Sequence, residues 1–289
     1  MRVIELVAGL VLVGSVGLSQ AVPAATATAT AKVAGVFDPR ELNGKWHRET
    51  PFQSYSNVPG GANELQAFLL GQAKAPRKLD VPTEDAPFTL AGQAAFDKNL
   101  PSYGKRIAEP RAGNDPQGMC DPWGVPRMLN GQVAGPHSTL EILFTPGRTF
   151  MFSEWHHEYR TVFTDGRALP KADELEPKWN GYSIGAWEGN TFVVKSAGFD
   201  ERTWLDHNGY PHTEEMQLEE RYRRLDADTL ELTETIVDPK YYSKPFKSDR
   251  KIWKLMTDAG KGWDEQIYCV PSEEFKFNKL IRDGDVGKK

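Results

Sequence analysis

Only two cysteines occur in 289 residues, Cys120 and Cys269. That excludes a disulfide-dense scaffold and any zinc or iron–sulfur site built from four cysteine ligands. Positive charge is not in excess: 35 Lys and Arg against 40 Asp and Glu leave a net charge of -5. This argues against a nucleic-acid-binding protein, whose phosphate contacts need a basic face. No GxGxxG or GxxxxGK segment is present, and neither Ser138 nor Ser183 sits in a GxSxG elbow. No nucleotide or other cofactor is therefore expected. With 39% apolar and 26% charged residues, the chain is not disordered throughout. It is long enough to bury a core of ordinary size.

Long apolar runs are also scarce. One spans residues 6–18, behind Arg2 and ahead of Ser19-Gln20-Ala21. It is shorter than the roughly 20 residues a membrane span needs, and it reads as a signal peptide over residues 1–21. An uncleaved anchor is the other reading, and Glu5 weakens export slightly. Removing 1–21 takes away Arg2 and Glu5, so the net charge stays at -5. Residues 22–34, rich in Ala and Thr, read as a flexible tether. The expectation is a periplasmic or secreted protein with no membrane span once the signal is removed. An oxidising compartment favours a Cys120–Cys269 bridge, closing a loop of about 150 residues and contributing roughly 4–5 kcal/mol. The alternative is two inert thiols; neither has a sequence-local His to activate it.

The chain divides into unlike halves. Residues 35–135 are rich in Pro and Gly and read as a loop-rich segment packing on the rest. Residues 44–48 read as one short strand, 62–73 as a helix, and 89–98 as a better helix with Thr89 as its cap. After 136 the pattern becomes β. Strands are expected over 139–145, 149–164 with or without a break near His156, 182–187, 191–196, 216–225, 229–237, 249–256 and 263–270. A closing helix is expected over 272–281.

These are about nine strands in sequence-local hairpins without βαβ spacing, so the expected class is mainly β: an antiparallel meander barrel, a lipocalin-like cup, or a sandwich. Short turns at 188–190, 226–228 and 257–262 alternate with long connections at 165–181, 197–215 and 238–248. In an up-and-down barrel the long connections crowd one mouth and the short turns seal the other.

Polar chemistry collects at that expected mouth. Of six histidines, His156 and His157 lie in Glu154-Trp155-His156-His157-Glu158-Tyr159-Arg160, and His207 and His212 in a second segment with Asp206. His157 or His212 suits a general acid/base, Asp206 an orienting carboxylate, and Arg160 or Arg167 a cation for an enolate or carboxylate. Asp165, His156, Trp155, Tyr182 and Trp204 join as candidate substrate contacts. Strand periodicity puts His156, Glu158 and Arg160 on one face. Ordinary ion pairs and turn caps are the competing account of the same residues. A metal set of His157 or His156 with Asp206 and His212 is weaker, because no HxH, HxxxH or HExxH spacing occurs. The run Arg221-Tyr222-Arg223-Arg224 beside Glu219 and Glu220 reads as a solvated, ion-paired strand face.

Several segments together resemble a family of exported, largely uncharacterised bacterial proteins. They are Gly113-Asn114-Asp115-Pro116 through Cys120-Asp121-Pro122 to Pro126-Arg127, then Glu154 to Arg160 with Asp165-Gly166-Arg167. Trp187-Glu188-Gly189, Trp204-Leu205-Asp206 with Pro211-His212, Glu220 to Arg224 and Asp238-Pro239 complete the pattern. The resemblance covers roughly residues 85–275. It implies export and a β-rich body and carries no assigned reaction. His157, Arg160, Asp165, Arg167, Asp206, His212 and Glu220 match its signature; Asn190 stands where Asp is expected, in a turn.

Three functions follow. The first is a cofactor-free enzyme of isomerase or lyase type acting on a small, partly apolar compound in a barrel cup. The second is a binding protein with the same cup and no chemistry, and the third is a metal-assisted hydrolase using His and Asp ligands.

Overall fold

The computed structural model describes residues 37–49, 55, 86–99, 115–130, 139–154, 157–206, 209–248, 250–257 and 268–272. The strands are β1 (Gly44–Arg48), β2 (Thr139–Thr145), β3 (Arg148–Ser153), β4 (Tyr159–Phe163), β5 (Tyr182–Glu188), β6 (Thr191–Ala197), β7 (Gln217–Arg224), β8 (Thr229–Val237), β9 (Phe246–Lys247) and β10 (Lys251–Leu255). Among the described residues two α-helices accompany them, α1 (Leu90–Lys98) and α2 (Arg127–Asn130).

The strands pair in the order β10-β1-β2-β3-β4-β5-β6-β7-β8, and β10 returns to β8, so the sheet closes into a nine-stranded barrel. β9 lies along β8 beyond β10. The mainly β barrel read from the sequence is the fold. Alternation explains which residues face inward. Thr-Leu-Glu-Ile-Leu-Phe-Thr in β2 buries Leu140 and Ile142, and β8 buries Leu230, Leu232, Glu234 and Ile236. Gly185 on β5 is needed for packing: a Cβ there would meet the Phe192 ring and Val162.

The topology departs from a simple meander in two places. First, β1 comes from the segment expected to lie outside the barrel, and it closes the ring by pairing with both β10 and β2. Second, β4 and β5 pair in parallel, Val162 opposite Ser183 and Phe163 opposite Ile184. A parallel pair requires a crossover, and the 164–181 connection supplies it. It leaves beside the β2–β3 turn, where Thr164 N–H donates to Gly147 O at 2.9 Å. It arrives at the other end, where Lys178 N–H donates to Gly198 O at 3.0 Å.

With the turns at 146–147, 189–190 and 225–228 called the lower end, the connections 154–158, 198–216 and 238–245 lie at the upper end. Two of the three long connections therefore gather as expected, and the third runs the length of the barrel. The 149–164 stretch breaks at 154–158, so His157 and Glu158 lie in a connection and do not extend the face of β4.

The upper end is roofed. Thr89 caps α1, its hydroxyl oxygen accepting from Gly92 N–H at 3.1 Å, as expected from the sequence. α1 presses Gly92 against the Tyr241 carbonyl and buries Phe96. Phe96 packs with Phe88 and Tyr210, which continue to Tyr242 and Phe246. The Cys120–Cys269 bridge forms, with its Cα atoms 5.5 Å apart. Cys269 sits in coil, the rest of the expected 263–270 strand before residue 268 lies outside the described residues, and so do the helices expected over 62–73 and over most of 272–281.

Candidate ligand site

The barrel interior changes character along its height. Trp46, Trp253, Phe144, Phe192, Leu230 and Leu232 fill the lower part, nearly all without exposure. Higher up, the inward positions of β1, β4, β7, β8 and β10 carry Arg48, Arg160, Glu220, Glu234 and Lys251, every one buried. Lys251 Nζ lies 3.5 Å from Glu234 Oε2 and donates to Tyr55 O at 3.1 Å. Ser183 and Ser196 share a hydroxyl hydrogen bond of 2.8 Å.

Arg160 is the centre of this belt. Its Nη2 donates to Glu220 Oε1 at 2.6 Å, to Tyr222 Oη at 3.2 Å and to Met151 Sδ at 3.2 Å. Tyr222 in turn donates its own hydroxyl to Glu220 Oε1 at 2.8 Å. Burial opposes the charge on Arg160, but the Glu220 carboxylate, Tyr222 and Glu234 outweigh it, so the guanidinium is held more firmly protonated than an ordinary arginine. Burial pushes the Tyr222 phenol well above its usual range, with Glu220 adding to the effect, so it stays a neutral donor.

Four polar atoms of this cluster have no hydrogen-bond partner: Arg160 Nε and Nη1, Glu220 Oε2 and Thr149 Oγ1. Arg160 is 3% exposed, and Glu220 and Thr149 are not exposed at all. Buried donors and acceptors are paired in the great majority of cases, by protein, water or ligand. The belt is therefore a built but unsaturated polar site inside an otherwise apolar barrel.

The residues singled out from the sequence are dispersed. His212 is 1% exposed and both ring nitrogens are used. Nδ1 faces the Thr213 carbonyl at 3.0 Å and Nε2 the Thr203 hydroxyl at 2.6 Å. A carbonyl only accepts, so Nδ1 carries the proton. Burial lowers the His212 pKa against the pull of Thr213, Asp238 and Asp200, so the ring is neutral and Nε2 accepts from Thr203. Asp206 does not orient it; its carboxylate accepts from Tyr55 N–H at 2.6 Å. The Asp206 carboxylate and the His212 ring, expected to bond to each other, thus bond to different partners.

Asp165 and Arg167 do not share the upper rim, because the parallel pairing of β4 and β5 starts their loop at the lower end. They are exposed, bonded to each other at 2.6 Å, and Arg167 lies 3.8 Å over the Phe163 ring. Tyr182 faces outward, with Lys178 Nζ 4.3 Å over its ring. Trp204 packs 5.7 Å from Arg127. Trp155 and His156 lie outside the described residues.

His157 stands in the β3–β4 connection with a left-handed φ of 51°. Its ring stacks 4.3 Å from that of Tyr268, and its Nε2 is buried without a partner. Its neighbour Glu158, named in the sequence only by strand periodicity, accepts from Trp123 N–H and, at 3.2 Å, from Gly124 N–H. Burial raises the Glu158 carboxyl to about 7, against those two N–H bonds and Arg127. Arg127 itself is committed to Asp115 through two bonds of 2.8 Å.

Tyr222 and Lys251 were not legible as part of a site, and Glu220 was named only as a match to the family signature and as a member of a charged run. The run 221–224 does form outward ion pairs, Arg221 with Glu188 and Arg223 with Glu231. The period of two that sends Arg221 and Arg223 outward sends Glu220 and Tyr222 inward. That alternation was the available signal.

A surface groove of about 690 Å³ runs outside β6–β8, lined by Lys195, Glu219, Arg221, Thr233 and Lys247 among others; it does not include Arg160, Tyr222 or Glu220. Among the described residues, no three His, Cys, Asp or Glu side chains are grouped to hold a metal ion, and no helix is long and apolar enough to cross a membrane. The chain matches no known protein family, no curated protein and no solved structure.

Proposed function

We propose that this protein binds a small, partly apolar organic anion inside its barrel, with Arg160 as the anchor. One observation carries this: a guanidinium in the barrel interior, fixed through Nη2 to Glu220 and Tyr222, keeps two donor nitrogens unpaired. A rigid, always-charged fork suits a carboxylate better than a lysine would. Apolar side chains flank the pair on the inward face: Met151 is the cross-strand partner of Arg160, and Val194 that of Glu220.

The signal-like residues 1–21 and the resemblance to exported bacterial proteins support a place in the periplasm or outside the cell, in keeping with the disulfide.

The test is capture from a metabolite extract of the host cell, read by native mass spectrometry. The paired variant Arg160→Met with Glu220→Met removes both charges together, because removing one alone strands the other at a cost of about 3–5 kcal/mol. A mass retained by the wild type and lost by the paired variant is expected. Retention by both proteins, or by neither, overturns the anchor.

A second reading, an isomerase- or lyase-type enzyme, is favoured by Glu158. A carboxyl raised to about 7 beside a histidine with an unpartnered Nε2 is suited to moving protons near neutral pH. In that reading His157 and Glu158 are the acid/base groups, and His212 and Asp206 hold the fold. Turnover of a captured compound that disappears in Glu158→Gln supports it; turnover that persists excludes it.

A further inference from the structure

The outer wall of the barrel differs between its two sides. On β6 to β8 the outward positions are polar and closed in ion pairs: Arg221 bridges Glu188 and Glu219, and Arg223 meets Glu231. That is what a sheet face turned to water carries. On β2 to β4 the outward positions carry Leu143, Phe150, Phe152, Tyr159 and Phe163 instead. The register sets them side by side, Leu143 opposite Phe150 and Phe152 opposite Tyr159. The rings form a ladder, with centroids 6.3 Å apart from Phe150 to Phe152 and 5.8 Å from Phe152 to Tyr159. None of the five is fully buried; Tyr159 is 59% exposed and Leu143 38%.

This strip is not the barrel's core. The inward residues of the same strands, among them Ile142, Met151 and Val162, already fill the interior. A contiguous apolar patch on the surface marks an interaction site. Aromatic residues and arginine are also the types enriched at interfaces between proteins.

Charge selects the occupant. Glu141 lies at the upper edge of the strip, opposite Phe152, and Arg148 at the lower edge, opposite Phe163. Among the described residues Glu141 has no side-chain hydrogen bond or ion pair, and Arg148 has no carboxylate partner, only the Phe163 ring 5.9 Å away. Asp165 and Arg167, near the same edge, are paired with each other and add no net charge. Arg148 is level with Thr145, four residues beyond Glu141 on β2, so the two open charges stand about 13 Å apart along the strands. A twofold axis lying across the strands at the Leu143–Phe150 level exchanges the two edges. It sets the strip against itself with strands antiparallel, and brings Glu141 of each copy to the partner's Arg148. The face is complementary to itself, as an isologous contact requires.

We propose that a second copy of this chain docks on the outer face of β2 to β4, with Phe150 against the partner's Phe150 and Glu141 paired with the partner's Arg148. The contact is separate from the barrel interior and does not depend on the Arg160 anchor.

Sedimentation of the full-length protein over a range of concentrations tests this. A monomer–dimer equilibrium is expected for the wild type. Phe150→Asp is expected to sediment as monomer, with its circular dichroism and Tm reporting that the barrel is intact. The charges give a readout that stands even if that variant does not fold. Arg148→Glu and Glu141→Arg each set like charges together at both symmetric contacts, and each is expected to raise the dimer dissociation constant by about tenfold or more. The double reversal, Glu141→Arg with Arg148→Glu, restores opposite signs and is expected to return the constant towards its wild-type value. Residues 1–21 are the same in every variant, so association through that apolar run responds to none of these changes. A wild type that stays monomeric throughout overturns the second copy and leaves the strip to another segment or another protein. Dimers that ignore both single reversals overturn this face as the contact. Single reversals that weaken the dimer but are not rescued by the double reversal overturn the twofold pairing.

Discussion

The lower barrel interior is filled by Trp46, Trp253, Phe144 and Phe192, and the upper interior, on the same strands, by Arg48, Arg160, Glu220, Glu234 and Lys251. The lower half gains stability from apolar area removed from water, about 25 cal/mol per Å². The upper half pays desolvation for each charge and regains it only through partners. The first arrangement is what a barrel needs to fold. The second adds little net stability and leaves buried polar atoms of Arg160 and Glu220 without a partner.

Replacing a ring in the lower half should have the largest effect. Trp253→Ala empties a fully buried site and is expected to lower stability by about 3–5 kcal/mol in urea unfolding, provided the barrel does not collapse into the gap. Ligand capture by the folded fraction should be unchanged. If that substitution costs little, the lower half is not the packed base of the barrel.

A middle-sized effect is expected at the upper end and depends on pH. The Glu158 carboxyl is raised from its ordinary 4.5 to about 7 in the folded protein. The folded state therefore holds the proton more tightly than the unfolded chain does. The stability this contributes is fully present below pH 4.5 and is lost as pH rises through about 7, a change of about 3 kcal/mol. Thermal unfolding across that window should show the fall in wild type, and Glu158→Gln should flatten it. A stability that instead rises over the same window contradicts this assignment.

A smaller effect is expected at the roof. Thr89→Ala removes the α1 cap and should cost about 1 kcal/mol, measured as a lower Tm. The smallest effect belongs to the residues moved away from the site by the fold: Asp165→Ala should leave both ligand capture and Tm unchanged within error. A loss of capture there would place the 164–181 crossover at the site after all.

The fold was readable from the sequence where local alternation and turns decide it. Residues 139–145, 182–187, 191–196 and 229–237 carry a period of two between turn signals, and the strands lie there almost residue for residue. The α1 helix was readable through Thr89. The parallel β4–β5 seam was not, since pairing between strands separated by 164–181 depends on closure of the whole sheet and leaves no local mark. Of the belt, the sequence marked Arg160 as a candidate cation and Glu220 only as a match to the family signature. Charged residues near strand ends suggested ion pairs or catalysis equally, and only the barrel decides that Glu220 faces inward while Glu219 and Arg221 face water. His212 misled because a Pro-His segment next to an Asp looks alike whether the ring is poised for a proton or tied between two threonines.

The seam between β4 and β5 follows from counting. When neighbours in a ring alternate up and down, closure without a parallel contact demands an even number of members; nine is odd, so one adjacent pair must run the same way. Adding or losing a single strand would therefore change the number of parallel contacts as well as the girth, so this barrel can be resized without a new crossover only by whole hairpins.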